Sequence, residues 1–337
     1  MGFAAAPHPI SKSSTAVIAV TAGLHGLVQE AAPGLPEDVQ VVDAVPAVVG
    51  GLLYALGRNA STAADGAPAT MLVSVDAAAG AIRAVPLTIT AGDPAPPNQW
   101  TALVAMPAKW PAGSLAGVAI AGSGSAFLYQ IRMIDPATGA AGPAIMVSTP
   151  QNTFVNFQFA TTARLSGEGV TQATFHFLAG DENSLTALNA VVFTATLQAS
   201  GSGSTLNSVP LDGKVYTLGS LALDEMSGIL YALSPGLYGA TNWTLVTLDP
   251  ASGAVAAVGT LGPSSEASPW RWGYSGGVAG GIPFGTDFLL HILQHELDGS
   301  YAILKVGLAD GAIVTASSLL LGVNNELALM TSAYMAS

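Results

Sequence analysis

Two short stretches hold most of the side chains able to do chemistry. The first is Leu289-Leu290-His291-Ile292-Leu293-Gln294-His295-Glu296. On a helix, His291 and His295 stand one turn apart and could share a metal ion. On a strand they face the same way but lie about 13 Å apart, too far for one ion. The order also differs from a zinc-protease helix, because Glu296 follows the second histidine instead of lying between the pair. The structural alternative is a polar strand end before the Asp298-Gly299 turn. The second stretch is Pro269-Trp270-Arg271-Trp272-Gly273-Tyr274. Flat indole faces and a guanidinium fork suit a sugar or an aromatic ligand. Large aromatics equally fill wedge-shaped gaps between packed sheets. Trp100, Trp110 and Trp243 lie near other strand junctions, and five tryptophans are too few for a repeated set of lectin sites.

Other chemistries find less support. The chain has no cysteine, which removes disulfides, thiolate zinc sites, iron–sulfur clusters and cysteine nucleophiles. A serine nucleophile elbow needs a strand-to-helix turn, and no helical segment is read in this chain. Gly122-Ser123-Gly124-Ser125 and Gly201-Ser202-Gly203-Ser204 lack the lysine of a phosphate-binding loop. No cofactor is indicated. Calcium could be taken by the acidic pairs in Gly180-Asp181-Glu182-Asn183 and Leu223-Asp224-Glu225, which read otherwise as solvated turns. Asn59-Ala60-Ser61 and Asn242-Trp243-Thr244 match the glycosylation pattern.

Composition narrows the partners. Only 9% of the 337 residues are charged and half are apolar, a balance opposite to that of disordered chains. A net charge of −12 argues against nucleic acid, whose phosphates are met by Lys and Arg. A small molecule, a glycan or another protein remains, and the chain is expected to be a monomer. Ala44 to Gly57, the longest apolar stretch, is broken by Pro46, Gly50 and Gly51 and is too short to span a bilayer. Lys12 ahead of Thr15 to Ala22 faintly resembles a secretory signal, but the repeat gives that run a structural place. Cytoplasmic and exported locations both fit.

The elements that must position these residues follow from an internal repeat. Gly228 to Leu233, Asn242 to Leu248 and Ala254 to Gly259 read as short strands, the last two joined by Asp249-Pro250-Ala251-Ser252-Gly253. Proline presets φ and glycine supplies the positive φ that closes such a turn. The same unit recurs at Leu52 to Leu56, Met71 to Gly80 and Ala81 to Val85. Turn-ending glycines fall at Gly23, Gly80, Gly139, Gly201, Gly253 and Gly311, about 52 to 62 residues apart. No segment sustains helical apolar spacing with caps at both ends; Asp287 to Glu296 comes nearest but occupies a second strand's place. The expectation is an all-β, single-domain, six-bladed β-propeller of four-stranded blades over 1–337. One blade would be shared between the termini, with Thr15 to Ala22 and Leu24 to Glu30 joined by Asn325 to Ser337.

Leu53 to Leu56, Asp135 to Gly139, Leu230 to Leu233 and Asp249 to Gly253 carry a resemblance to bacterial-type propeller repeats, the YVTN and quinoprotein-like families. It covers about four of six units and implies a fold, with no active site attached. The copies ending at Gly201 and Gly311 lack the Asp-Pro pair. Three function classes fit. One is a binding or interaction module with a small-molecule or glycan site walled by Trp270, Arg271, Trp272 and Tyr274. Another is an enzyme of lyase, lactonase, hydrolase or cyclase type, using Arg271, Tyr274, His291, His295 and Glu296 at a central channel. The third is a structural or cell-surface repeat protein.

Overall fold

The computed structural model describes residues 2–7, 15–23, 26–31, 39–41, 47–59, 69–76, 79, 81–89, 97, 99–107, 109–110, 113–121, 128–148, 158–162, 171–179, 191–200, 204–213, 215, 222–224, 227–234, 243–261, 282–284, 288–294, 301–311, 313–319 and 329–332. These residues form strands and turns, and no helix occurs among them. Accordingly, no helix among them is long and apolar enough to cross a membrane.

The strands gather into six sheets. Sheet I contains β1 (Gly2–Pro7), β2 (Thr15–Gly23) and β3 (Gly26–Ala31). Sheet II contains β4 (Val39–Val41), β5 (Ala47–Val49), β6 (Leu52–Asn59), β7 (Ala69–Asp76) and β8 (Ala81–Pro86). Sheet III contains β9 (Thr88–Ile89), β10 (Gln99–Ala105), β11 (Leu115–Ala121), β12 (Leu128–Ile134), β13 (Ala140–Ala141) and β14 (Ile145–Ser148). Sheet IV contains β15 (Gln158–Thr162), β16 (Gln172–Ala179), β17 (Val191–Gln198) and β18 (Thr205–Pro210). Sheet V contains β19 (Ala222–Asp224), β20 (Ile229–Ser234), β21 (Trp243–Leu248) and β22 (Val255–Leu261). Sheet VI contains β23 (Ile282–Phe284), β24 (Phe288–Gln294), β25 (Tyr301–Gly307) and β26 (Ile313–Leu319). The last strand, β27 (Leu329–Ser332), pairs antiparallel with β1, so sheet I runs β27-β1-β2-β3. β1, which no repeat signal marks, lies between β27 and β2. Its Gly-Phe-Ala-Ala-Ala-Pro is too short and small-sided to show alternation.

Sheets IV, V and VI are antiparallel meanders in chain order. First strands of successive sheets touch: β5 meets β10, β10 meets β15, β15 meets β19, β19 meets β23, and β23 meets β27, which also meets β5. The core lies between sheets, because strand side chains alternate between faces. Between sheets II and III, Tyr54, Leu56 and Leu72 pack with Trp100, Leu103, Leu115 and Ile134. Between III and IV, Val104, Val118 and Ile131 pack with Phe175, Phe193, Ala195 and Leu197. Between IV and V, Val192 meets Leu230, Ala232, Val246 and Leu248. Each buried Leu or Phe contributes about 1.5–3 kcal/mol through lost apolar exposure.

Candidate functional site

Of the sequence-derived site residues, Trp270, Arg271, Trp272, Tyr274, His295 and Glu296 lie outside the described residues. His291 stands on β24, opposite Leu304 of β25. The stretch around it is a strand and not a helical turn: Phe288–Gln294 is the second strand of sheet VI. In sequence the tryptophan segment falls between β22 of sheet V and β23 of sheet VI.

Several other candidates resolve into structure. Trp100 and Trp110 are buried and join apolar clusters, so both act in packing. Trp100 rests over Gly117, where any side chain would meet its ring. Trp243 opposes Leu261 in the β21–β22 ladder. Asn59 is 6% exposed, which removes its side chain from a glycosylating surface. Asp224 ends β19, opposite Ile229, whereas Asp181, Glu182, Glu225 and Asn242 lie outside the described residues. Among the described residues, no three His, Asp or Glu side chains converge at metal-binding range.

The best-defined polar geometry is at the joints between sheets. In sheet III, the Asp135 carboxylate accepts from the Ala137 amide at 2.9 Å and from the Thr138 hydroxyl at 2.7 Å. The Gly139 amide donates to the Asp135 carbonyl at 2.8 Å, and Gly139 takes φ 74°. This arrangement presents the Gly139 carbonyl outward, where it accepts from the Thr88 amide at 2.9 Å. Arg83 of β8 adds a 2.8 Å bond to the Ala137 carbonyl. Sheet V repeats the design. Asp249 accepts from the Ala251 amide at 2.9 Å and from the Ser252 hydroxyl, Gly253 takes φ 78°, and its carbonyl accepts from the Asp212 amide at 3.0 Å. The Asp212 carboxylate then takes the Val255 amide at 2.8 Å.

These contacts set the local electrostatics. The Thr138 hydroxyl and the Ala137 amide hold the Asp135 carboxyl below its ordinary range, because they bond its charged form. The Ser252 hydroxyl and the Ala251 amide do the same for Asp249. Burial pushes the Tyr54 phenol upward, opposed by the charge of Arg83. Tyr54, Ser74 and Arg83 lie side by side across β6, β7 and β8. A shallow depression of about 480 Å³ opens beside the first turn, lined by Ser114, Met133, Asp135 and Gly142.

The receiving half of each joint went unnoticed in the sequence, although a signal was present. Val85-Pro86-Leu87-Thr88 and Val209-Pro210-Leu211-Asp212 are the same motif. In each, Val and Leu pack against the joint's apolar cluster. The proline carbonyl faces the turn glycine closely, and the fourth residue's amide donates to it. Two further arrangements were missed. Arg132, 1% exposed, is bonded to Gln130 at 2.9 Å and to the Gly142 carbonyl at 3.1 Å, two charge-assisted bonds within the sheet III region. On sheet IV, Thr162, Thr174, Thr196 and Thr205 share one register row, and His176 Nδ1 lies 3.0 Å from Thr194 Oγ1 in the next. A lone Arg in an apolar strand, and alternating Thr in two neighbouring strands, were the available signals.

No protein-family model matches the chain, and no curated protein matches it. Solved structures do. The structure of YjhT aligns with TM-score 0.50 at 11% identity, covering 94% of this chain and 98% of that one. A putative 6-phosphogluconolactonase from Bacteroides uniformis aligns at TM-score 0.42 and 12% identity, covering 98% of both chains. The Dos1 propeller aligns at TM-score 0.38 and 10% identity, over 91% of this chain and 66% of that one. At such identities the likeness is one of fold. Together with the all-β sheets and the contacts among their first strands, the likeness to YjhT makes this chain a β-propeller.

Proposed function

We propose that this protein is a six-bladed propeller acting as a binding module, with a small molecule or glycan held at the channel mouth. Six sheets and the cycle of contacts among their first strands support the blade number. The β27–β1 pairing supports closure through a blade shared by both termini, an arrangement that removes free sheet edges. One observation carries the binding reading. A chain with 9% charged and 7% aromatic residues places Trp270, Arg271, Trp272 and Tyr274 within five positions. They fall in the connection from sheet V to sheet VI, and binding residues concentrate on connections held by a rigid scaffold.

The test is titration with a panel of soluble oligosaccharides, read by tryptophan fluorescence and calorimetry. Binding that Trp270→Ala and Trp272→Ala abolish, with the melting temperature unchanged, is the expected result. A fall in melting temperature with binding retained assigns both indoles to packing. The enzyme reading draws on a different observation: His291 lies in sheet VI, which that same connection enters. It would use Arg271, Tyr274, His291, His295 and Glu296. Turnover of a lactone or glycoside panel, lost in His291→Ala, would favour it.

A further inference from the structure

Two joints, II to III and IV to V, use the same parts at equivalent places, and that recurrence is independent of any ligand. In each, a carboxylate at the turn's first position bonds the amide two residues on and the hydroxyl three residues on. That hydroxyl in turn accepts the amide two residues further, Ala140 or Ala254, at 3.3 Å. The backbone is thereby held in a shape that turns the glycine carbonyl toward the segment leaving the last strand of the preceding sheet, after β8 or β18. There the amide of Thr88 or Asp212 donates to it. The glycine has no Cβ, and one would collide with the Pro86 or Pro210 carbonyl.

We propose that the Asp-Pro-Ala-Thr/Ser-Gly turn and the Val-Pro-Leu-Thr/Asp segment form a two-part fastener between neighbouring blades. Its grip depends on the turn's carboxylate. The device is directional: the later sheet in the chain grips the earlier one. Removing the carboxylate loosens the joint, including the short parallel β9–β13 pairing to which the Thr88–Gly139 bond belongs, and leaves the long antiparallel ladders of both sheets in place. Arg83 faces the first turn from β8, and Asp212 faces the second from the segment after β18.

Site-resolved amide hydrogen exchange on the full chain tests this. In Asp135→Ala, exchange at the Thr88 amide should rise about tenfold, the scale of one lost hydrogen bond. The Asp212 amide and the β17 ladder should stay unchanged. Asp249→Ala should give the mirror result, with a rise at Asp212 alone. Thr138→Val and Ser252→Ala remove only the hydroxyl and should each raise exchange at the same single amide, by less; they decide the matter if an aspartate variant does not fold. Unchanged exchange at Thr88 and Asp212, or an equal rise across all six sheets, overturns the proposal. Neither outcome bears on the oligosaccharide titration, so the two readings fail separately.

Discussion

The turns ending at Gly253 and Gly311 occupy the same place in neighbouring sheets, yet they meet the preceding blade in different ways. At Gly253 an aspartate begins the turn, serine stands fourth, and the receiving backbone is Pro210. At Gly311, Gly307 begins the turn, Asp310 stands fourth, and Gly259 of β22 takes the receiving place. Both glycines keep a positive φ, 78° and 68°. The shared element is therefore the backbone shape that the close approach needs, and the side chains that order it are exchangeable. With glycine on both sides the turn and the receiving strand meet backbone to backbone, because neither carries a Cβ at the contact.

Breaking the closer contact should have the largest effect. A Cβ at Gly259 would collide with the Asp310 carbonyl and its carbon. Gly259→Ala should cost about 3 kcal/mol, the upper range for overpacking, and lower Tm by roughly 4 °C. Thermal denaturation followed by circular dichroism measures it, and a Tm within about 1 °C of the parent would refute the contact.

The second comparison sets Gly253 against Gly51. Both have positive φ, but Gly51 has open space where a Cβ would stand, as expected of the two-residue hairpin loop joining β5 and β6. Gly51→Ala should cost about 1 kcal/mol from backbone conformation alone. Gly253→Ala adds the collision with the Pro210 carbonyl and should cost about 2–3 kcal/mol. Equal losses in denaturant titrations would show that the Pro210 contact contributes nothing.

Arg83 separates the two joints further: it reaches the first turn from β8 at Ala137, whereas at the second joint the Asp212 carboxylate takes the Val255 amide. Arg83→Met should cost about 0.5–1 kcal/mol, the net worth of one exposed hydrogen bond. The same change should leave exchange at Asp212 as it was.

Acid should give the smallest effect. The Asp135 and Asp249 carboxyls are held below their ordinary range, so the unfolded chain binds protons first as pH falls. Their stabilisation is complete above the usual aspartate range, near pH 4, and disappears as pH drops through the lowered values. Asp135→Asn and Asp249→Asn should flatten that part of the stability profile.

Strand existence and repeat spacing were legible because both are local. Asp135 to Gly139 and Asp249 to Gly253 announce their turns by residue type, and alternating runs such as Gln172 to Leu178 announce strands. The strand limits in sheet V follow the same signals closely, at Ile229–Ser234, Trp243–Leu248 and Val255–Leu261. The aromatic and histidine clusters were equally legible as composition, though composition alone does not separate a ligand wall from a wedge filler.

What the amino-acid order determined by itself is the strand-and-turn grammar, the glycines that close it, and the exclusion of cysteine and phosphate-loop chemistry. Those follow from φ preferences, side-chain alternation and residue inventory, which act over a few positions. Only the tertiary structure decided that β1 lies between β27 and β2, that Trp100 and Trp110 are packing residues, and that Val-Pro-Leu segments receive the turn of the next sheet. Each of these joins residues far apart in the chain. Their partners are chosen by which faces meet when the sheets pack, and no local preference encodes that.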